Sequence, residues 1–157
     1  PLTNPAGATA QLLGVYDAKL TEMFAGVLKN MGTKRAFVVH GADGLDEVTI
    51  TGETRVAELK DGVIRAYNIS PKEFVGATYP LEAIRGGDPS VNARILTDVL
   101  SGTPGACRDI VLMNAAPAIV AGEKAADIRE GVEIAADCID SGRAVKKLQA
   151  LIEMSNS

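Results

Sequence analysis

"QLLGVYDAKLTEMFAGVLKNMGTKRAFVV", residues 11–39, changes its hydrophobic pattern twice in one short run. Gln11 to Tyr16 reads as a strand. Asp17 then stands where a helix N-cap belongs, because a short polar side chain can accept from the free N–H groups of a first turn. Leu20, Met23, Phe24, Val27, Leu28 and Met31 recur at the spacing of one helix face, and Gly32 closes the run. Ala36 to Val39 reads as a second buried strand. Strand, helix and strand in this order predict a parallel crossover, with the helix lying on the sheet.

Beyond this unit, Val48 to Thr51, Thr54 to Leu59 and Val63 to Ile69 are short β-rich runs, and Lys60-Asp61-Gly62 between the last two is a hairpin signal. After Pro71 the pattern becomes helical. Asp88 is placed to cap a helix with Pro89 at its first position and Val91, Ile95, Leu96, Val99 and Leu100 as its buried stripe. Three further helices are expected over residues 106–121, 125–140 and 143–154. No repeat, low-complexity segment or linker divides the chain. Residues 1–157 therefore read as one α/β unit with a mixed, largely parallel sheet flanked by helices.

With 157 residues, 46% of them hydrophobic, the chain can bury roughly 70% of its unfolded surface in one core. The formal net charge of -4 comes from 16 basic and 20 acidic residues mixed along the sequence. No basic stripe is available to hold a phosphate backbone, so nucleic acid is not an expected partner. Cys107 and Cys138 have no nearby histidine to complete a metal set, His40 being the single histidine, and they read as reduced thiols of a cytoplasmic protein. The most apolar window, residues 110–120, is broken by Asn114 and Pro117 and falls short of the roughly 20 residues of a bilayer span. No basic start precedes an apolar run at the N-terminus, so neither a membrane segment nor a signal peptide is expected.

The second strand runs into "VVHGADGLDEVT", residues 38–49, which crowds Asp43, Asp46 and Glu47 together. Asp43-Gly44 is turn chemistry, since Gly takes positive φ freely and Asp bonds its own backbone. That leaves Asp46 and Glu47. Mg²⁺ prefers oxygen ligands in octahedral geometry, commonly one or two carboxylates completed by water and substrate phosphate. The carboxyl end of a strand is also where open α/β sheets bind ligands. Neighbouring side chains on a regular strand point to opposite faces, so joint action requires the turn that Gly41 and Gly44 permit. Spacing alone favours a plain solvated turn.

Other polar residues read as structural. His40 ends a strand with no Ser or Cys partner that would make it a nucleophile's base. Asn4 reads equally as a cleft residue or as a turn initiator before Pro5. Gly86, Gly87 and Asn92 read as a helix entry rather than an anion site, because Asp88 would repel the anion. Asn114, among Leu112, Met113, Ala115 and Ala116, reads as a buried hydrogen-bonding residue that fixes its helix.

In order along the chain, PLTNPAG at 1–7, LLGVY at 12–16, VVHGADGLDE at 38–47, GGDPSVNA at 86–93, LMNAAPAIV at 112–120 and EGVEIAADCIDSGRA at 130–144 resemble the C-terminal part of anthranilate phosphoribosyltransferases. The resemblance implies an incomplete nucleoside phosphorylase/phosphoribosyltransferase-like catalytic domain. It implies transfer of the phosphoribosyl group of phosphoribosyl pyrophosphate to the amine of anthranilate, with release of pyrophosphate, in tryptophan biosynthesis. Asp46 and Glu47 match the family's magnesium-serving Asp-Glu pair, so the resemblance turns the reading of this turn toward Mg²⁺.

The family's glycine-rich loop of the form GTGGD and its KHGNR-like segment precede PLTNP in the family pattern and occur nowhere in this sequence. The chain is therefore expected to be a C-terminal part that is inactive alone. Its expected partner is the missing N-terminal part, through which the complete enzyme would form a homodimer. Two other readings are a nucleic-acid-binding paralogue without activity, opposed by the acidic balance and the Asp46-Glu47 pair, and a pyrimidine nucleoside phosphorylase relative, which lacks the DGLDE turn.

Overall fold

The computed structural model describes residue 2 and residues 5–156. Four strands, β1 (Ala10–Gly14), β2 (Arg35–Gly41), β3 (Thr54–Lys60) and β4 (Val63–Ile69), form one sheet in the order β1-β2-β3-β4. β1 and β2 are parallel and are joined by α1 (Leu20–Asn30), which is the crossover read from the sequence. The other two ladders are antiparallel. The sheet is mixed, as expected, though among the described strands only one of its ladders is parallel. β1 and β4 are its outer strands.

Alternation along β2 explains the layering. Ala36 and Val38 face α1 and form one core with Val15, Ala25, Leu28, Ala57 and Leu59. Phe37 and Val39 face the opposite side and join Val56, Met113, Val120 and others in the larger core. That larger core is roofed by α3 (Ala106–Ala121) and α4 (Ile128–Asp140), while α2 (Pro89–Leu100) and α5 (Arg143–Ser155) lie outside them. The two helices of the roof approach closely: a Cβ added to Gly131 of α4 would sit 2.8 Å from the Ala116 carbonyl oxygen of α3.

The β3–β4 hairpin closes through Asp61 at φ 49° and Gly62 at φ 77°, the paired positive angles of a two-residue turn that matches the twist of its strands. α1 ends as expected. Gly32 at φ 83° lets its own N–H reach the Lys29 carbonyl and the Thr33 N–H reach that of Leu28, a double closure of the last turn.

Several expectations are corrected. Asp17 does not cap α1 directly: its side chain accepts from the Lys19 N–H at 2.9 Å, and Leu20 and Thr21 bond back to Asp17 and Ala18 in a tighter preceding turn. The buried edge of α1 is Thr21, Ala25 and Leu28, whereas Met23, Val27 and Met31 are exposed, because the helix meets the sheet through its small residues. Val48 to Thr51 is not a strand. Val48, Thr49 and Ile50 are fully buried, yet side chains rather than a neighbouring strand take the N–H and carbonyl of Val48 and the N–H of Thr49. α2 is also more exposed than its stripe suggested, with Val99 its one buried residue. Asp127 caps α4 by accepting the Glu130 N–H, so that helix starts later than residue 125.

Candidate functional site

Beyond Gly41 the chain reverses through Ala42, Asp43 and Gly44. The Gly44 N–H bonds the Gly41 carbonyl and the Gly41 N–H bonds that of Leu45, both at 2.9 Å, with Gly44 at φ 93°. This is a three-residue reversal completed by a left-handed glycine. Asp43 is engaged inside it. Oδ1 accepts the Leu45 N–H at 3.1 Å, and Oδ2 accepts the hydroxyls of Thr49 and Thr51. Burial pushes the Asp43 carboxyl up, but the Thr49, Thr51 and Leu45 donors outweigh it and hold the group below its ordinary value.

Asp46 and Glu47 follow in a bend and are exposed, and among the described residues no hydrogen bond or ion pair engages either side chain. The bend breaks the strict alternation that would send their side chains to opposite faces. Its backbone is fixed from two further sides. At the end of β1, Gly14 lies against it so closely that a Cβ there would fall 1.6 Å from the Asp46 carbonyl oxygen. From α3, Asn114 accepts the Val48 N–H through Oδ1 and donates to the Val48 carbonyl through Nδ2, both at 2.8 Å.

The remaining sequence candidates fall into structural roles. The His40 Nδ1 lies 2.8 Å from the Val15 carbonyl, which fixes that nitrogen as the donor and ties the ends of β1 and β2 together. At the entry to α2, Asn92 clamps the N–H and carbonyl of Gly87, and Asp88 accepts from Ser90 and Val91. Those bonds, with Ser90 first, hold the Asp88 carboxyl below its ordinary value. The helix entry is thus closed by its own acid, as expected. Asn4 lies outside the described residues.

Among the described residues, no three His, Cys, Asp or Glu side chains gather closely enough to hold a metal ion. Asp46 and Glu47 are adjacent carboxylates, without partners among the described residues, whose further partners would be water and phosphate, an arrangement that suits Mg²⁺. Sequence reasoning identified this pair but missed its supports. Gly14 at the end of an apolar strand was the available sign of a close backbone approach.

Residues 1–145 match the family described as "Glycosyl transferase family, a/b domain". The chain belongs to this family. Within the glycosyl transferase family it is 53% identical over 156 residues to the anthranilate phosphoribosyltransferase of Geobacter sulfurreducens, covering 99% of this chain and 45% of the relative. The crystal structure of anthranilate phosphoribosyltransferase from Thermus thermophilus superposes with a TM-score of 0.90 at 38% identity, over 100% of this chain and 46% of that one. The Saccharomyces cerevisiae enzyme in complex with PRPP and Mg gives 0.86 at 30% identity, over 98% and 44%. The resemblance read from six short motifs is borne out, and the chain spans less than half the length of the relatives it matches. No helix is long and apolar enough to cross a membrane among the described residues.

Proposed function

We propose that the complete protein carrying this chain transfers the phosphoribosyl group of phosphoribosyl pyrophosphate to the amine of anthranilate, in the cytoplasm and in tryptophan biosynthesis, and that this chain supplies Asp46 and Glu47 as Mg²⁺ ligands. The observation that carries the reading is the sorting of three neighbouring carboxylates. Asp43 is occupied by three donors, while Asp46 and Glu47 stand exposed and, among the described residues, unpaired beyond a strand's carboxyl end. Similarity to anthranilate phosphoribosyltransferases, one of them solved with PRPP and Mg, supports it.

In this reaction the bond from ribose C1 to a pyrophosphate oxygen breaks and its electron pair leaves with the pyrophosphate. The amine nitrogen bonds C1 and gives up a proton. Bound magnesium would neutralise the charge that gathers on the departing oxygens. Asp46 and Glu47 would hold the metal from the protein side. Asp43, Gly14 and Asn114 hold the bend that presents them.

The chain carries no GTGGD-like phosphate loop. Positioning contributes about 7–11 kcal/mol to well-oriented reactions, so residues 1–157 alone are expected to show no transfer. The N-terminal part would complete the site and form the homodimer.

The test is Asp46→Asn combined with Glu47→Gln in the complete protein. Half-saturating magnesium should rise steeply, while stability changes by no more than about 0.5 kcal/mol, as for ordinary surface substitutions. Normal turnover at limiting magnesium would remove the metal assignment. Transfer by the isolated chain, without an added N-terminal part, would refute its inactivity.

A further inference from the structure

We infer that Asn114, far away in sequence on α3, is the positioning residue that aims the Asp46–Glu47 pair, an inference that rests on the magnesium reading above. The residue after Glu47 is Val48, whose side chain is fully buried although it belongs to no strand. Its backbone N–H and carbonyl are both taken by one side-chain amide, at 2.8 Å each, from 66 residues away. Asn114 thus does for one residue what a neighbouring strand does for several.

The amide is itself fixed. Nδ2 has two hydrogens, and both are used, one on Val48 and the other on the Ile110 carbonyl at 3.0 Å. A flipped amide would set its oxygen against two carbonyl oxygens and its NH₂ against an N–H, so one orientation is dictated. The other restraints act before Val48 or after it. The Gly41 N–H holds Leu45, Gly14 lies under Asp46, and the Tyr79 N–H bonds the Ile50 carbonyl at 3.0 Å. Among the described residues, the Asn114 pair is the long-range hydrogen bonding adjacent to Glu47, so it determines where the Glu47 end of the bend stands relative to the sheet. Asn114 touches neither carboxylate and is not a ligand. It acts as outer-shell partners of metal ligands do, by fixing the direction from which a ligand approaches.

The experiment measures initial rate against magnesium concentration in the complete protein for Asn114→Ala, for Gly131→Ala, which disturbs α3 packing at Ala116 while leaving the Asn114 amide in place, and for the Asp46→Asn, Glu47→Gln pair. Thermal unfolding is recorded for each. Asn114→Ala is expected to raise half-saturating magnesium by about 10- to 100-fold, the usual effect of losing an outer-shell partner, with a much smaller loss of rate at saturating metal. Gly131→Ala is expected to lower stability without moving half-saturation. A purely structural Asn114 would behave like Gly131→Ala, and that result would overturn the inference. An effect of the carboxylate pair without an effect of Asn114→Ala would sink this inference and leave the metal reading standing. No effect of the pair itself would sink the metal reading first.

Discussion

Gly14→Ala adds one methyl group where the structure has no room for it. The new Cβ would lie 1.6 Å from the Asp46 carbonyl oxygen and 2.6 Å from its carbon, and both are backbone atoms that no rotamer change can clear. Reaching ordinary contact requires a separation of about 2 Å more. β1 cannot supply it freely, since Gly14 is registered against Val39 and the Val15 N–H bonds the Val39 carbonyl at 3.0 Å. Nor can the bend, which is held on one side by the Gly41–Leu45 bond and on the other by Asn114. Overpacking of this kind costs about 1–3 kcal/mol. The entropy gained by replacing glycine, about 0.4–1 kcal/mol, is smaller, so net destabilisation is expected.

The displacement should matter more for chemistry than for stability, because a misplacement of about 1 Å can cost on the order of 100-fold in rate. Urea unfolding and magnesium-dependent turnover of the complete protein measure both. Gly26→Ala in α1 is the matched control: a Cβ there meets nothing within 4 Å, and helix propensity favours alanine by about 1 kcal/mol. A Gly14→Ala protein with wild-type unfolding midpoint and wild-type magnesium dependence would refute the claim that the bend rests on this glycine.

Asp43 gives a pH-dependent outcome. Its folded carboxyl lies below the ordinary value, so its contribution is present above the unfolded pKa of about 3.9 and disappears as pH falls through the lower folded value. Asp43→Asn should therefore be less stable than wild type at neutral pH, and the difference should shrink below about pH 4; parallel stability curves down to pH 2 would contradict this. Gly131→Ala sets a gain in helix propensity of about 1 kcal/mol against overpacking of about 1–3 kcal/mol at the α3–α4 crossing, where the Ala116 carbonyl is the obstacle. Net destabilisation in denaturant titration is expected, and a stabilised variant would show that the helices can separate without loss.

The crossover and the hairpin were legible because each is written locally. Periodicity around Leu28, the Gly32 closure and Asp61-Gly62 need no distant partner to be read. The face of α1 was misjudged because the sheet receives the helix through Thr21 and Ala25, so packing distance overrode hydrophobicity and left Met23 and Met31 in solvent. Val48 to Thr51 looked like a strand for a related reason. Its residues are mostly buried and β-branched, but Val48 and Thr49 are satisfied by the side chains of Asn114 and Thr54. Composition and spacing drew notice to the acidic turn, and the family resemblance alone turned its reading from a solvated turn toward a metal-binding pair. Asp43 was legible as a turn residue from Asp43-Gly44, but the hydroxyls of Thr49 and Thr51 that fold back onto its carboxylate were not, because they come from a segment that read as a strand.

The side-chain clamp at Val48, and its counterpart from Asn92 at Gly87, are built from amides. An amide neither titrates nor carries net charge. Acidity therefore acts on Asp43 but leaves these clamps unaltered, so the bend is held by a responsive group at its Asp43 end and by an unresponsive one at Val48. A change in salt can alter how strongly Asp46 and Glu47 attract a cation through screening alone, while the backbone at Val48 stays where the amide has put it.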